Sequence, residues 1–244
     1  MTSVVGVASR RGTRDHNADA AHAYRGDDGT VTATVIDGTG NSAELAELAE
    51  LAEVTDAMAI VVTRVGYRRG GLAALITASD LIHEAYDAAA VTVQADPDGG
   101  VHTHWIGDCR AWWWTGAELR QLSTDHTMGQ LLRVSGGESA ARVAATHDHW
   151  LRLGISGATP ATVAEVTGLD VNRPTLGVGQ LVLLTSDGVH DQIEHDVLVE
   201  LVRAHAAVPQ SLADALVATA RPDHQGYRDD ATAVVVAMTA GVHE

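Results

Sequence analysis

Residues 180–193 read Q-L-V-L-L-T-S-D-G-V-H-D-Q-I and carry an apolar segment directly into an acidic turn. Residues 181–186 are all apolar or small, which is typical of a strand covered on both faces rather than one half exposed to water. Asp187 follows at once, and Gly188 behind it permits a tight turn and a close approach of the backbone. The stretch therefore predicts a buried strand that ends in a carboxylate.

Two further apolar segments meet carboxylates in the same way. Asp37-Gly38 follows one such segment, and Asp229 comes shortly before the apolar residues 231–238. If these strands are neighbours, three carboxylates converge, and unpaired acids raise one another's pKa unless a cation is bound. Carboxylate oxygens suit hard ions such as Mg²⁺ or Mn²⁺, and two such ions can activate water for displacement at a phosphoryl group. Three separate, solvated aspartates are the alternative that this pattern leaves open.

The charge balance excludes several classes of partner. The chain has 32 acidic and 16 basic residues, a formal net charge of −16, and no lysine. Nucleic acid and anionic lipid bind through clustered positive charge, so neither is expected as a partner. A phosphorylated substrate would also be repelled unless cations lay between it and the carboxylates. Cys109 is the only cysteine, which excludes an internal disulfide and a cysteine-rich zinc site.

The length of 244 residues, without a linker-like segment, predicts one domain over residues 1–240 and a short tail at 241–244. We recognise no signal peptide, and no run of about 18 uncharged apolar residues predicts a membrane span. We therefore expect a cytoplasmic protein with no membrane partner. A monomer is expected as well.

Apolar periodicity and turn residues predict the order of the elements. Strands are expected at residues 3–9, 18–24, 30–36, 91–95, 101–106, 111–115, 181–186 and 231–238. Helices are expected at residues 42–67, 72–90, 128–134, 197–206 and 210–220, with a glycine-rich turn at 37–41 and a loop at 135–138. This order indicates an α+β domain built on antiparallel sheets. Three tryptophans, 112 to 114, alternate faces on one strand and are interpreted as packing residues.

Six short motifs follow one another along almost the whole chain. They are Arg14-x-x-Asn17-x-Asp19, Asp37-Gly38-x-Gly40, Gly107-Asp108-Cys109-Arg110, Asp125-His126-Thr127, Ser186-Asp187-Gly188 and Asp229-Asp230-Ala231-Thr232. Each motif is weak alone, but their order and spacing resemble the metal-dependent protein phosphatase (PPM) family, the type 2C serine/threonine phosphatases, in its bacterial form. The resemblance implies an α-β-β-α sandwich, in which two antiparallel sheets are flanked by helices and a two-metal site lies at one end.

The resemblance also implies a set of residues that bind Mn²⁺ or Mg²⁺. Asp37 would bridge both ions, and the carbonyl of Gly38 would touch one of them. Asp187 and Asp229 would complete the shell of the other ion. Asp108 matches a residue that, with the central Ser-Asp-Gly aspartate, holds a third ion in bacterial members.

The activity that the resemblance implies is hydrolysis of phosphoserine or phosphothreonine in proteins by a metal-activated water. Asp19 would orient a metal-bound water, and Arg14 would grip the substrate phosphate with its planar set of donors. The partners would be phosphorylated proteins, either a kinase and its substrates or a phosphorylated anti-sigma antagonist. Residues 138–155 resemble the passage after the family's flap, where substrate preference varies.

Four residues depart from the family pattern. Ala18 replaces the usual glutamate that supports the second metal, so weaker binding of that metal is expected and Ala18→Glu is expected to raise turnover at limiting metal. The alternative is a pseudophosphatase, a regulatory binding module with an incomplete metal site. Thr39 replaces a histidine or methionine, so a histidine general acid is absent at that position. Asn41 and Cys109 replace a common glycine and serine and are expected to be tolerated.

Two pairs of histidines raise a different metal hypothesis. His102 and His104, like His147 and His149, would share one face if each pair were in a strand, a spacing that a transition metal can use. No third ligand is evident nearby in the sequence. Surface or inter-strand histidines are therefore favoured over a zinc site.

Overall fold

The computed structural model describes residues 2–39, 45–82, 86–170, 175–222 and 224–240. Within these residues the chain forms two five-stranded sheets, and all neighbouring strands are antiparallel. The first sheet has the order β1 (Thr2–Arg10), β10 (Ala231–Thr239), β9 (Leu181–Thr185), β6 (Arg110–Trp114) and β7 (Leu119–Gln121). The second has the order β2 (Asp19–Arg25), β3 (Val31–Thr39), β4 (Asp87–Ala95), β5 (Val101–Ile106) and β8 (Ala164–Thr167).

Helices cover the outer face of each sheet. Helices α1 (Leu45–Arg69) and α2 (Gly71–Ser79) share an apolar cluster with the second sheet. Helices α6 (His195–His205) and α7 (Pro209–Thr219) share another cluster with the first sheet. Three shorter helices lie in the connections: α3 (Met128–Ser135), α4 (Gly137–Ala141) and α5 (Asp187–His190). None of the helices in these described ranges has both the length and the apolar character needed to cross a bilayer.

The inner faces of the two sheets pack directly against each other. Val35 and Val91 of the second sheet lie in one buried cluster with Leu184 and Val234 of the first. This inner cluster, together with the two outer clusters beneath the helices, makes the layers helix, sheet, sheet and helix. The predicted α+β class and the α-β-β-α sandwich are both confirmed.

Strand β9 lies in the middle of its sheet, and all five of its residues are buried. The strand expected from the opening stretch is therefore present and covered on both faces. On its neighbour β6, Trp113 lies in the inner cluster, whereas Trp112 and Trp114 lie in the outer cluster with α6 and α7. The predicted alternation of the tryptophans is correct.

Three predicted boundaries are wrong. The helix expected at 72–90 ends at Ser79, and Asp87–Ala95 forms strand β4. The alanines of β4 favour a helix by propensity, but they are buried in a strand that pairs with β3, and this pairing decides the structure. Strand β3 continues to Thr39, so Asp37 and Gly38 lie within a strand and not in a turn. The loop expected at 135–138 overlaps the ends of α3 and α4. Gly40, Asn41 and the tail at 241–244 lie outside the described residues.

Candidate metal centre

Five aspartates occupy strand ends that the sheet pairing brings together. Asp19 and Asp37 face each other directly across β2 and β3. Asp187 is the first residue of α5, which follows β9, and Asp229 precedes β10, the strand next to β9. Asp108 lies in the short turn between β5 and β6. The site thus draws on both sheets.

The electrostatics show that these carboxyl groups share one region. Asp37 is buried, and its pKa is raised well above its ordinary value by that burial and by the charges of Asp187 and Asp19. The pKa of Asp187 is raised to about 8 by burial and then by the charges of Asp229 and Asp108. Such influence requires short distances. The structure therefore brings together all the predicted carboxylate ligands, and their binding of metal stays a prediction.

One oxygen of Asp19 provides a test of whether a cation fits. Its Oδ2 accepts a hydrogen bond from Ser186 Oγ at 2.7 Å, but Oδ1 is buried without a partner in the part of the chain that the structure describes. Burial raises the pKa of Asp19 well above its ordinary value, although the Ser186 bond opposes the rise. Leaving a buried acceptor unpaired is costly. A cation or a donor beside this oxygen would remove that cost.

The donor set also suits a hard divalent cation. No three histidine, cysteine, aspartate or glutamate side chains among the described residues already form a metal-binding group. This does not argue against Mg²⁺, since that ion keeps several waters and needs only one or two carboxylates. At Gly38, a Cβ would lie 2.7 Å from the carbonyl oxygen of Ala18, so a bare backbone is required here. The residues present therefore fit the metal pair that the resemblance implies.

Arg14, the predicted phosphate ligand, lies against two acids beside this centre. Its Nη2 contacts Asp229 Oδ1 and is 3.2 Å from Asp230 Oδ2. Burial alone would lower the pKa of Arg14, but the charges of Asp229 and Asp230 raise it above its ordinary value. The guanidinium therefore stays charged at the edge of the carboxylate cluster. Its contact with phosphate stays a prediction.

Asp230 is a residue whose role the sequence analysis missed. Its carboxylate is fully buried and accepts from the backbone N–H of Gly12 at 2.7 Å and of Ala18 at 2.9 Å. It thereby fixes both ends of the loop that carries Arg14. The signal was present, because Asp230 belongs to a motif already recognised. Only the structure separates its anchoring role from the ligand role predicted for Asp229.

Tyr227 was missed as well, and it lies beside the same acid. Its hydroxyl donates to Asp229 Oδ1 at 3.2 Å, the oxygen that Arg14 also contacts. Burial and the charge of Asp229 raise the pKa of Tyr227 to about 12, so the hydroxyl keeps its proton at neutral pH. No sequence pattern singled out this tyrosine.

Ala18 lies where the resemblance would place a glutamate. It is buried in a small apolar cluster with Leu51 and Tyr86, and its carbonyl oxygen accepts from the N–H of Gly38 at 3.1 Å. The position that would hold a supporting carboxylate is thus occupied by apolar packing. This geometry agrees with the expected weakness of a second metal site.

The other candidate groups lie in ordinary structural surroundings. His104 Nε2 is 3.1 Å from Glu165 on the neighbouring strand, while His147 lies in a short 3₁₀ turn, so the second histidine pair does not share a strand face. Cys109 is fully buried, and burial together with the charge of Asp37 raises the pKa of its thiol well above its ordinary value. The thiol therefore stays protonated and does not act as a nucleophile.

Known proteins resemble this chain in fold but were not matched to it by sequence. No protein-family model matches the chain. No curated protein matches it in sequence either. Solved structures do match over nearly its whole length.

A serine/threonine phosphatase from S. agalactiae has 17% identity and a TM-score of 0.76, with 97% of this chain and 99% of that chain covered. The Mycobacterium tuberculosis serine/threonine phosphatase PstP/Ppp has 20% identity and a TM-score of 0.67, with 98% and 100% covered. The catalytic domain of PstP in complex with 2 manganese ions has 19% identity and a TM-score of 0.69, with 98% and 99% covered. The chain therefore has the fold of the bacterial PPM serine/threonine phosphatases.

Proposed function

We propose that this protein hydrolyses phosphoserine or phosphothreonine in phosphorylated proteins with the help of two Mn²⁺ or Mg²⁺ ions. The observation that carries the proposal is the convergence of Asp37, Asp187 and Asp229 from both sheets onto one region, in which Asp37 is buried. Four acids of this region have raised pKa values, and their charged forms are costly unless cations neutralise them: Asp19, Asp37, Asp108 and Asp187. The fold shared with serine/threonine phosphatases supports the same conclusion.

The ions would supply an activated water and neutralise charge on the phosphoryl group during in-line displacement. Asp37 would hold both ions, while Asp187 and Asp229 would bind one of them, and Asp108 with Asp187 would hold a third. Two side chains of the protein would orient the reacting groups. The unpaired Oδ1 of Asp19 would accept a hydrogen bond from the attacking water and orient it, and Arg14 would bind phosphate oxygens through its charged donors.

The leaving group would receive its proton from solvent. Thr39 occupies the position where a histidine acid would lie, and it is paired with Asp87 of β4 in a regular strand register. A threonine hydroxyl does not donate a proton readily at neutral pH. The cytoplasmic location and the monomeric form stay predictions from the sequence, as do the two candidate targets, a kinase with its substrates or a phosphorylated anti-sigma antagonist.

A Mn²⁺ titration of phosphate release from a phosphothreonine peptide tests the proposal. Wild-type protein should show metal-dependent turnover. Asp187→Asn should reduce this turnover by at least about 100-fold, the upper end of the loss that follows removal of a residue supporting a metal ligand. Calorimetry should detect at least two Mn²⁺ sites in wild type. Absence of turnover on any phosphorylated substrate at every Mn²⁺ concentration would refute the enzyme.

One specific observation favours a second candidate, a pseudophosphatase that binds phosphoproteins without turnover. Ala18 contributes no carboxylate, and apolar Leu51 and Tyr86 surround it. A single Mn²⁺ site in calorimetry, combined with no phosphate release, would support this candidate over the enzyme.

A further inference from the structure

A cavity of about 1240 Å³ opens beside the candidate metal centre. Asp108 lines it, and the charge of the same side chain raises the pKa of Asp37 and Asp187, so the cavity begins at the centre itself. Helix α3 lines one side, and Asp191 and Glu194, which follow α5, line another. We call this cavity the α3 pocket.

The size of the α3 pocket favours a chain segment over a small metabolite. Typical small-molecule sites measure roughly 300–1,000 Å³, less than this cavity. A phosphorylated residue bound at the metal centre would have its neighbours in the chain at the mouth of the pocket. This step rests on the proposed function, which places the phosphate at the centre.

Most of the positive charge in the pocket is already neutralised within the protein. Arg110 forms three hydrogen bonds of 2.6, 3.0 and 3.1 Å with the carboxylate of Asp125. Arg133 of α3 binds both oxygens of Asp148. Bidentate pairs of this kind leave little charge for a ligand. Arg221 is the remaining arginine of the pocket lining.

Apart from Asp108, which belongs to the candidate metal centre, Asp191 and Glu194 are the pocket acids without such a partner among the described residues. Asp191 Oδ1 lies 3.7 Å from Arg110, beyond hydrogen-bond distance, and its side chain is 54% exposed. Burial raises the pKa of Asp191, Arg110 opposes this, and the charges of Asp125 and Asp148 add to the rise. The pocket therefore has a negative potential that an incoming cation would relieve.

A buried polar atom in the pocket wall, without a hydrogen-bond partner among the described residues, is the second observation that points to a ligand. Trp112 Nε1 donates to the hydroxyl of Thr185, and that hydroxyl lies at hydrogen-bond distance, 2.8 Å, from Nδ1 of His190. Nε2 is buried without a partner in the described residues, 3.9 Å from Asp191 Oδ1. A peptide backbone carries both a donor and an acceptor, so it can pair with Nε2 in either tautomer of His190.

We propose that the α3 pocket binds the substrate segment next to the phosphorylated residue and selects a lysine or arginine there, through Asp191 and Glu194. A basic peptide offers both groups that the pocket lacks, a cation for the two acids and a polar backbone group for His190. Acidic or neutral segments offer only the second. The pocket thus gives the proposed phosphatase a substrate class, phosphoproteins with a basic residue beside the phosphosite.

Matched phosphothreonine peptides test this preference. Three peptides would carry arginine, glutamine or glutamate on either side of the phosphothreonine, and kcat/KM would be measured with Mn²⁺ at low salt. Arginine should be favoured over glutamine by roughly three- to tenfold, the scale of one or two partly exposed ion pairs. Asp191→Asn combined with Glu194→Gln should abolish the preference, and added salt should reduce it.

Control variants separate the pocket from general charge. Glu118→Gln with Glu200→Gln removes the same charge at side chains that are 65% and 69% exposed and outside the pocket lining, so the preference should persist. Turnover of p-nitrophenyl phosphate, which has no flanking residues, gives the reference to which the peptide values of each variant are normalised.

Binding of fluorescein-labelled peptides, measured by anisotropy with Mn²⁺ present, keeps the inference testable if no substrate is hydrolysed. In that case the proposed enzyme fails, yet tighter binding of the arginine peptide, lost in the Asp191 and Glu194 double variant, would still support the pocket. Equal binding and equal kcat/KM for the three peptides would overturn it, as would a preference that survives the double variant.

Discussion

The N–H of Gly38 donates to the carbonyl oxygen of Ala18 at 3.1 Å, which ties the predicted metal-binding backbone to the position where the supporting carboxylate is missing. Around this pair the packing is tight, because a Cβ at Gly38 would lie 3.2 Å from the Ala18 Cβ. Any substitution at residue 18 therefore acts on the metal centre and on the local core together.

Ala18→Glu should lower the melting temperature of chelator-treated protein, because it buries a carboxylate beside Leu51 and Tyr86. Mn²⁺ should recover more of the melting temperature than it adds to wild type, since the new acid lies next to the predicted second ion. Ala18→Gln is the matched control, with the same size and no charge. An equal Mn²⁺ response in the two variants would show that residue 18 does not reach the metal.

The carboxylate cluster predicts a pH-dependent stability in chelator. Asp187, with a pKa raised to about 8, and Asp108, with one raised to about 6, hold protons in the folded protein that the unfolded chain releases near pH 4. The stabilisation from these protonated groups is complete below about pH 4 and is lost as the pH rises through 6 and 8. The free energy of unfolding should therefore fall over this range, by at least about 1.4 kcal/mol, the value of one pKa unit.

Denaturant titrations at several pH values would measure this fall. Asp187→Asn should reduce the fall, because the asparagine does not titrate and the remaining acids lose one neighbouring charge. Mn²⁺ should oppose it, since the ions bind the deprotonated acids and stabilise more as the pH rises. A wild-type stability that does not change between pH 5 and 8.5 in chelator would contradict the proposed clustering.

Asp230→Asn should destabilise the protein by about 1–3 kcal/mol, because one of the backbone donors at Gly12 and Ala18 would face an amide in place of a carboxylate oxygen. The loop that carries Arg14 should loosen, so KM for a phosphopeptide should rise more than kcat falls. Asp214→Asn, an exposed change on α7, should stay within about 0.5 kcal/mol. Unchanged stability and KM would remove Asp230 from its anchoring role.

Gly188→Ala should prevent stable folding or cost more than about 3 kcal/mol. A Cβ at this residue would lie 1.9 Å from the backbone oxygen of Asp230, so α5 and the start of β10 would have to separate. Gly157→Ala is a matched control, since a Cβ there meets nothing within 4 Å. Thermal melts of the two variants check the prediction, and similar melting temperatures would contradict it.

Much of the fold could be predicted from local patterns. Strand β9 was identified from a continuous apolar run, and the alternating sides of Trp112 and Trp113 from the two-residue period of a strand. The helix predicted over the alanines of β4 is wrong, because their helix propensity is high and only pairing with β3 makes this segment a strand. Propensity is a local quantity, and strand pairing is not.

The metal centre divides in the same way. Its acids could be named from their positions after apolar segments and from the order of six motifs. The roles of Asp230 and Tyr227 could not be predicted, because the hydrogen bonds of Asp230 with Gly12 and of Tyr227 with Asp229 are seen only in the three-dimensional structure. The α3 pocket was invisible as well, since its walls come from segments far apart in the chain.

The sequence by itself determined the acidic character of the protein, its buried strands and the carboxylates at their ends, because these properties depend on residue type and spacing alone. The tertiary structure decided that those ends meet. Pairing of β1 with β10, from Thr2 opposite Thr239 to Arg10 opposite Ala231, places the Arg14 loop beside Asp229, although more than 200 residues separate them. Such contacts follow from the register and packing of whole sheets, which no short segment specifies.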